Sequence, residues 1–246
     1  MIQDLKMYSK FPLLLLLLLN LGPVAAEGPA SVAVPANVAV PAAVDLDMHD
    51  YDTIASEVFW QKLYPEGGWT LYCGFRFDMQ GQSQEGLAIG IDQMYATDWM
   101  LDNLHCRNRT ECYAKNKQFK KMEADMHNLY PAWSDLLVYR NGRSFGSVPG
   151  KDSRFENCEF EWDQKVIEPR DLSKGNIARS ILYMHKQYEL PITNELLQTL
   201  KLWNRQDPPS EQEADRNNKI EQLQGQRNPY IDKPMLVEKI ILSPKK

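Results

Sequence analysis

The stretch KKMEADMHNLYP, residues 120–131, sets Glu123, Asp125 and His127 at alternate positions and follows them with Asn128. Carboxylate and amide oxygens are hard donors that suit a divalent ion. Imidazole takes up a proton near neutral pH. The chain has only four histidines, so one placed among carboxylates marks either a catalytic centre or a framework for chemistry elsewhere. A lone histidine in a packed segment more often satisfies local hydrogen bonds, which favours the framework role for His127. A second candidate is the basic run CRNRTECYAKNKQFKK, residues 106–121, with six lysines and arginines against the single acid Glu111. Such a run can meet phosphate, but charge runs are more often solvated surface.

These residues need elements to hold them. Residues 53–65 read as a helix capped by Thr53, with Ile54, Val58 and Leu63 or Phe59 on one face and Pro65 as its stop. In residues 69–77, Trp69, Leu71, Cys73, Phe75 and Phe77 alternate, as in a strand, and residues 86–91 read as a shorter one. Residues 92–116 show no regular period and are expected to be irregular. The helix that starts near Lys117 is expected to run to about Asn128 and to stop before Pro131. Residues 177–190 and 194–205 carry apolar stripes of helical period (Ile177, Ile181, Met184, Tyr188; Leu196, Leu200, Trp203). Ser210 and Glu213 form a capping box for a helix over 211–224 whose apolar residues are only Ala214, Ile220 and Leu223. A helix this polar is expected to be solvated or to face a partner.

Composition bounds the rest. Residues 1–26 have Lys6 and Lys10, then the leucine run 13–19, then the small residues VAA, which is the layout of a secretory signal. The run is too short to span a membrane, which takes ~20 apolar residues. Residues 27–50 are rich in Ala, Val and Pro and are expected to be an extended tether. That leaves residues 51–246 for one domain. The net charge is −5, so nucleic acid is not attracted in general and would need a local patch. Export implies an oxidising compartment. The four cysteines, Cys73, Cys106, Cys112 and Cys158, are then expected in two disulfides. Three pairings exist. Spacing favours Cys106–Cys112, a short loop, with Cys73–Cys158 tying distant segments. A zinc site is disfavoured, because no Cys-x2-Cys pair exists.

The strings LYCGF (71–75), MEADMHNLYP (122–131), KGNIARSILYM (174–184), EADRN (213–217) and QGQRNPYID (224–232) resemble, in order and spacing, the bacterial endonuclease I family of periplasmic and secreted DNases. The resemblance runs from about residue 50 to 232. It implies an α+β, ββα-metal nuclease fold, mostly helical with a small antiparallel sheet. It also implies a chemistry. One histidine deprotonates the attacking water. The acid before it and a later asparagine hold a single magnesium ion, which stabilises charge on the leaving oxygen.

Carried over residue by residue, the metal acid falls on Asp92 and the base position on Gln93, an amide that takes no proton at physiological pH. Glu123 falls beside that base position, and His127 belongs to the framework. The metal asparagine falls on Leu137, or on Asn141 if the segment is shifted by four residues, about one helical turn. Arg109 matches an arginine near the scissile phosphate, where a guanidinium can grip through two bonds. Arg143 and Lys115 are further candidates for nucleic-acid binding. Arg179 and Arg216 are expected as buried partners of Glu168 and Glu213. Three functions follow: a weakened or inactive nuclease that still binds nucleic acid (DNA before RNA) or protein; a working magnesium-dependent endonuclease using Asp92 and Asn141 with His105 or His127 as base; or a cell-envelope binding protein held on the tether and docked through the polar helix. In each, the protein is secreted or periplasmic and is not inserted in a membrane.

Overall fold

The computed structural model describes residues 50–150 and 155–242. The expected signal (1–26) and, Asp50 excepted, the tether (27–50) lie outside the described residues. Asp50, rather than Thr53, opens the first helix: its carboxylate accepts the Thr53 N–H at 2.9 Å. A first turn α1 (Tyr51–Thr53) runs directly into a π-helical stretch, Ile54–Leu63, that buries Ile54, Val58, Phe59 and Leu63.

The strand expected over 69–77 is two short ones. β1 (Gly68–Trp69) and β2 (Arg76–Phe77) pair antiparallel. Between them the chain folds back, with the Gly74 N–H on the Thr70 carbonyl at 2.9 Å and Gly74 at φ +70°. Leu71 and Cys73 are buried in this turn, so their alternation mimics a strand. β3 (Ile89–Gln93) begins later than expected. It pairs antiparallel with β4 (Leu129–Trp133), from Ile89 opposite Trp133 to Gln93 opposite Leu129. β4 carries Pro131, which reads as a breaker. The Pro131 backbone faces away from β3, its carbonyl accepting the Leu71 N–H at 2.8 Å, so the missing N–H costs no ladder bond.

Between β3 and β4 the chain is not irregular. It forms α2 (Thr97–Asn103), α3 (Arg109–Lys115) and α4 (Lys117–Ala124). Asn108 and Asn116 cap the last two, accepting the Glu111 N–H at 2.9 Å and the Phe119 N–H at 3.1 Å. α4 stops at Ala124, short of the expected Asn128, because Asp125 turns inward. Its buried carboxylate caps the 3-10 turn Met126–Asn128 and accepts the Tyr183 and Tyr188 hydroxyls at 3.0 and 2.8 Å and the Gln224 amide at 2.9 Å. After β4, α5 (Ser134–Arg140) folds back on β3 at Gly90, where a Cβ would lie 3.1 Å from Leu137 Cδ1. β3, β4 and α5 are the ββα unit.

The remainder supports that unit. β5 (Ser144–Phe145), β6 (Phe160–Trp162) and β7 (Val166–Pro169) form a third small sheet, in which β6–β7 is antiparallel and β5–β7 parallel. The described residues are thus an α+β fold with three small sheets, not all antiparallel. α6 (Asp171–Tyr188) and α7 (Asn194–Gln206) pack together and bury Ile177, Ile181, Leu200 and Trp203. α8 (Glu211–Gln224) is followed by α9 (Pro229–Asp232) and a 3-10 turn, Pro234–Lys239.

α8 meets the expectation only in part: Glu211, Gln212, Asp215, Asn218, Lys219, Glu221 and Gln222 are exposed, while Glu213, Arg216, Asn217 and Gln224 are turned into the fold. Glu213 accepts Arg179 through two bonds, at 2.7 and 2.5 Å, with both side chains essentially unexposed. The capping box is therefore half made: Ser210 Oγ accepts the Glu213 N–H at 3.2 Å, while the Glu213 carboxylate serves Arg179 instead. Arg216 has no carboxylate hydrogen bond and donates to the Met126 and Leu129 carbonyls at 2.7 and 2.5 Å. Glu168 pairs with Lys174 at 2.9 Å, not with either arginine. Cys73 is bonded to Cys158 across 85 residues and Cys106 to Cys112 across six. Chain-entropy arguments give about 4–5 kcal/mol for the long loop and about 2 kcal/mol for the short one. Replacing Cys73 and Cys158 by serine should therefore lower the unfolding midpoint in urea clearly more than replacing Cys106 and Cys112. Equal losses would count against this.

Candidate active site

The C-terminal end of β3, the N-terminus of α2, Arg109 of α3, Glu123 of α4 and the last turn of α5 converge on one cleft of about 350 Å³. Its walls include Asp92, Gln93, Arg109, Glu123, Leu137, Arg140 and Asn141. Residues far apart in sequence meet because β3 and β4 hold Asp92 opposite Tyr130 and Gln93 opposite Leu129, while α5 lies on β3. Arg143 and Lys115 do not line the cleft. Arg143 donates to the Asp163 and Tyr139 carbonyls at 2.8 and 2.7 Å. Lys115 pairs with Glu111 at 2.8 Å.

Asp92 is already engaged. Tyr72 donates its hydroxyl to Oδ2 at 2.5 Å, and the Gln93 N–H donates to Oδ1 at 2.8 Å. Arg140 Nε stands 3.6 Å from Oδ2, a charge contact too long for a hydrogen bond. Burial pushes the Asp92 carboxyl above its ordinary value, and Arg140 and Tyr72 hold it back. Gln93 is tied at both ends of its amide. Nε2 donates to the Glu123 carbonyl at 3.2 Å, and Oε1 accepts the Thr97 hydroxyl.

Glu123 accepts Arg109 Nε on Oε1 at 2.5 Å, while its buried Oε2 has no hydrogen-bond partner. Burial raises this carboxyl, and Arg109 opposes the shift. Arg109 keeps 43% of its side chain exposed, and the Tyr51 and Tyr113 rings each lie 5.7 Å from its guanidinium carbon.

Leu137 and Asn141 sit one turn apart, with the Asn141 N–H on the Leu137 carbonyl at 3.0 Å, and both line the cleft. Asn141 caps α5 in the left-handed region at φ 29°. The magnesium ion that the resemblance implies needs open hard oxygens. Here both Asp92 oxygens have protein partners, one of them beside a guanidinium, and the ungapped asparagine position is an apolar side chain against Gly90. The residues present do not fit the ion.

Neither candidate histidine reaches the cleft. His105 lines a separate cavity of about 1380 Å³ together with His185. His127 is buried, with Nε2 3.0 Å from the Gln226 carbonyl and its ring 4.5 Å from that of Tyr183. Two residues that sequence reasoning missed matter most, Tyr72 and Arg140. Arg140 was accessible in principle: Leu137, Arg140 and Asn141 have the i, i+3, i+4 spacing of one helical face. Tyr72 had no local signal.

A sequence model of the Endonuclease I family matches residues 49–235. A periplasmic deoxyribonuclease of Aeromonas hydrophila is 32% identical over 194 residues, covering 70% of this chain and 81% of that protein. An extracellular deoxyribonuclease of the same species is 30% identical over 212 residues, covering 77% and 93%. An extracellular ribonuclease of Bacillus amyloliquefaciens is 31% identical over 135 residues, covering 47% and 46%.

Burial pushes the His127 imidazole down from 6.5 to about 4. A folded value below the unfolded one means that the neutral ring favours folding above pH 6.5. That contribution is lost as the pH falls toward 4, by up to about 3 kcal/mol. Urea unfolding of wild type and His127→Gln across this range should show the two pH profiles diverging, with the variant flatter. Parallel profiles would remove His127 as the cause.

Proposed function

The chain belongs to the endonuclease I family, and from that premise we propose that it is an exported member whose substrate cleft persists while its hydrolytic power is strongly reduced. The observation that carries this reading is Gln93. It stands where the resemblance puts the general base, and both ends of its amide are bonded within the protein. An amide does not take a proton at physiological pH, and losing a general base costs ~10²–10⁴ in rate. Among the described residues no histidine lines the cleft, so the working-endonuclease reading lacks its base. The residues around Asp92 do not fit magnesium.

What remains suits binding. Arg109 is held by Glu123 at 2.5 Å and flanked by two tyrosines, yet stays reachable, as a phosphodiester contact must be. DNA is the preferred polymer, since the relatives that match most of this chain are deoxyribonucleases. RNA is the second choice, from the partial match to an extracellular ribonuclease. The two disulfides, the signal-like residues 1–26 and the periplasmic and extracellular relatives all favour export. No helix of the described residues is long and apolar enough to cross a membrane. The envelope-docking reading is weakened, since Glu213, Arg216, Asn217 and Gln224 of α8 are occupied inside the fold.

The test is nicking of supercoiled plasmid by the oxidised protein, with magnesium and with chelator, beside the Aeromonas periplasmic enzyme. Wild type should stay near the protein-free background. Gln93→His should stay there too, because Leu137 and Arg140 remain. Magnesium-dependent nicking by wild type at a rate near that of the comparison enzyme would sink the proposal.

A further inference from the structure

The loss of a base does not by itself explain why a guanidinium is buried against the acid at the metal position. Arg140 is 2% exposed and fixed from several sides. Nη2 donates to the Met94 carbonyl at 2.9 Å and Nη1 to the Arg143 carbonyl. The Phe145 and Trp99 rings lie 4.5 and 5.3 Å from its guanidinium carbon. One N–H, on Nε, has no hydrogen-bond partner, and it is this atom that stands 3.6 Å from Asp92 Oδ2. The Tyr72 hydroxyl, at 2.5 Å, holds the same oxygen.

We infer that Arg140 takes the electrostatic place of a divalent ion in this cleft, so that the site excludes such an ion and any phosphodiester bound there is held by protein cations alone. The inference deepens the assignment of the cleft as a remodelled endonuclease I site and rests on it. Asp92 carries one negative charge, and the guanidinium beside it neutralises that charge. A dication approaching Asp92 would meet a fixed positive charge at nearly the same distance, and repulsion between such charges is strong where water is scarce. Moving the guanidinium aside would break its bonds to the Met94 and Arg143 carbonyls, a long one to the Gln93 carbonyl at 3.5 Å, and its ring contacts. Leu137 adds no donor, since it packs on Gly90. Arg109 is then the cation that a phosphate can reach.

Manganese is the probe, because its free form can be followed directly by electron paramagnetic resonance. The oxidised wild-type protein is titrated beside Asp92→Asn, Tyr72→Phe, Arg140→Gln and the Arg140→Gln, Asp92→Asn double variant. Wild type, Asp92→Asn and Tyr72→Phe should show the same weak, nonstoichiometric uptake. Arg140→Gln should bind at least tenfold more tightly, and the double variant should lose that gain. A stoichiometric site on wild type that Asp92→Asn removes would overturn the inference, and this arm stands even if Arg140→Gln does not fold. A site gained by Tyr72→Phe alone would also overturn it, by moving the exclusion from the guanidinium to the hydroxyl. The two proposals fail separately: nicking in chelator would end the silenced-nuclease reading alone, whereas a wild-type manganese site without nicking would end the exclusion alone.

Discussion

The guanidinium of Arg216, buried beneath β4, is the contact on which the rest of the fold is hung. It donates to the Met126 and Leu129 carbonyls and, at 2.9 Å, to the Tyr64 hydroxyl, and the Tyr130 ring lies 4.1 Å from its guanidinium carbon. One side chain thus fastens the 3-10 turn and the start of β4 to α8 and to the residue that ends the π-helical stretch. A buried charge without compensation costs several kcal/mol, so the chain is driven to present those carbonyls there. With Leu129 fixed, β4 can pair with β3 in one register. That register sets Asp92 and Gln93 in the cleft.

The same device recurs at Arg140: a guanidinium under aromatic rings, bonded to backbone carbonyls, with one nitrogen left without a hydrogen bond. The consequences differ with the neighbours. Under β4 it builds a framework. Beside Asp92 it neutralises an acid whose position would otherwise suit a cation. Buried Asp125 and partly buried Asp92 make the complementary contrast. Asp125 is satisfied by two tyrosine hydroxyls, an amide and a backbone N–H without any cation. Asp92 has one hydroxyl, one N–H and a guanidinium. The first is a joint between α4, α6 and α8. The second is a cleft residue whose charge is already balanced.

His127 belongs with the joint. Its ring lies against Tyr183 of α6, Nε2 meets the Gln226 carbonyl, and Ser180 donates to the His127 carbonyl at 2.8 Å. The alternation of Glu123, Asp125 and His127 therefore does not mean one shared site. Glu123, at the end of α4, faces the cleft and Arg109. Asp125 and His127 lie past the helix end and turn toward α6 and α8. A change of backbone direction at Asp125 separates the support from the chemistry.

The apolar stripes of α6 and α7, the Ser210 cap and the family strings were legible in the sequence, because each depends on residues within one or two helical turns of each other. That Gln93 falls at the base position and Leu137 at the ligand position is an expectation of the same kind, since it rests on position in a matched string. Tertiary structure decided the rest. α2 and α3 formed where little local periodicity was visible, with Asn108 supplying the cap for α3. β4 ran through Pro131 because the backbone of that residue faces away from β3. Four polar residues of α8 turned inward because their partners come from elsewhere along the chain: Arg216 reaches Met126 over 90 residues and Gln224 reaches Asp125 over 99. Tyr72 and Arg140 reached Asp92 in the same way, from 20 and 48 residues away. A buried polar group is stable only where its partners already stand, and a linear pattern carries no record of partners that only folding brings near.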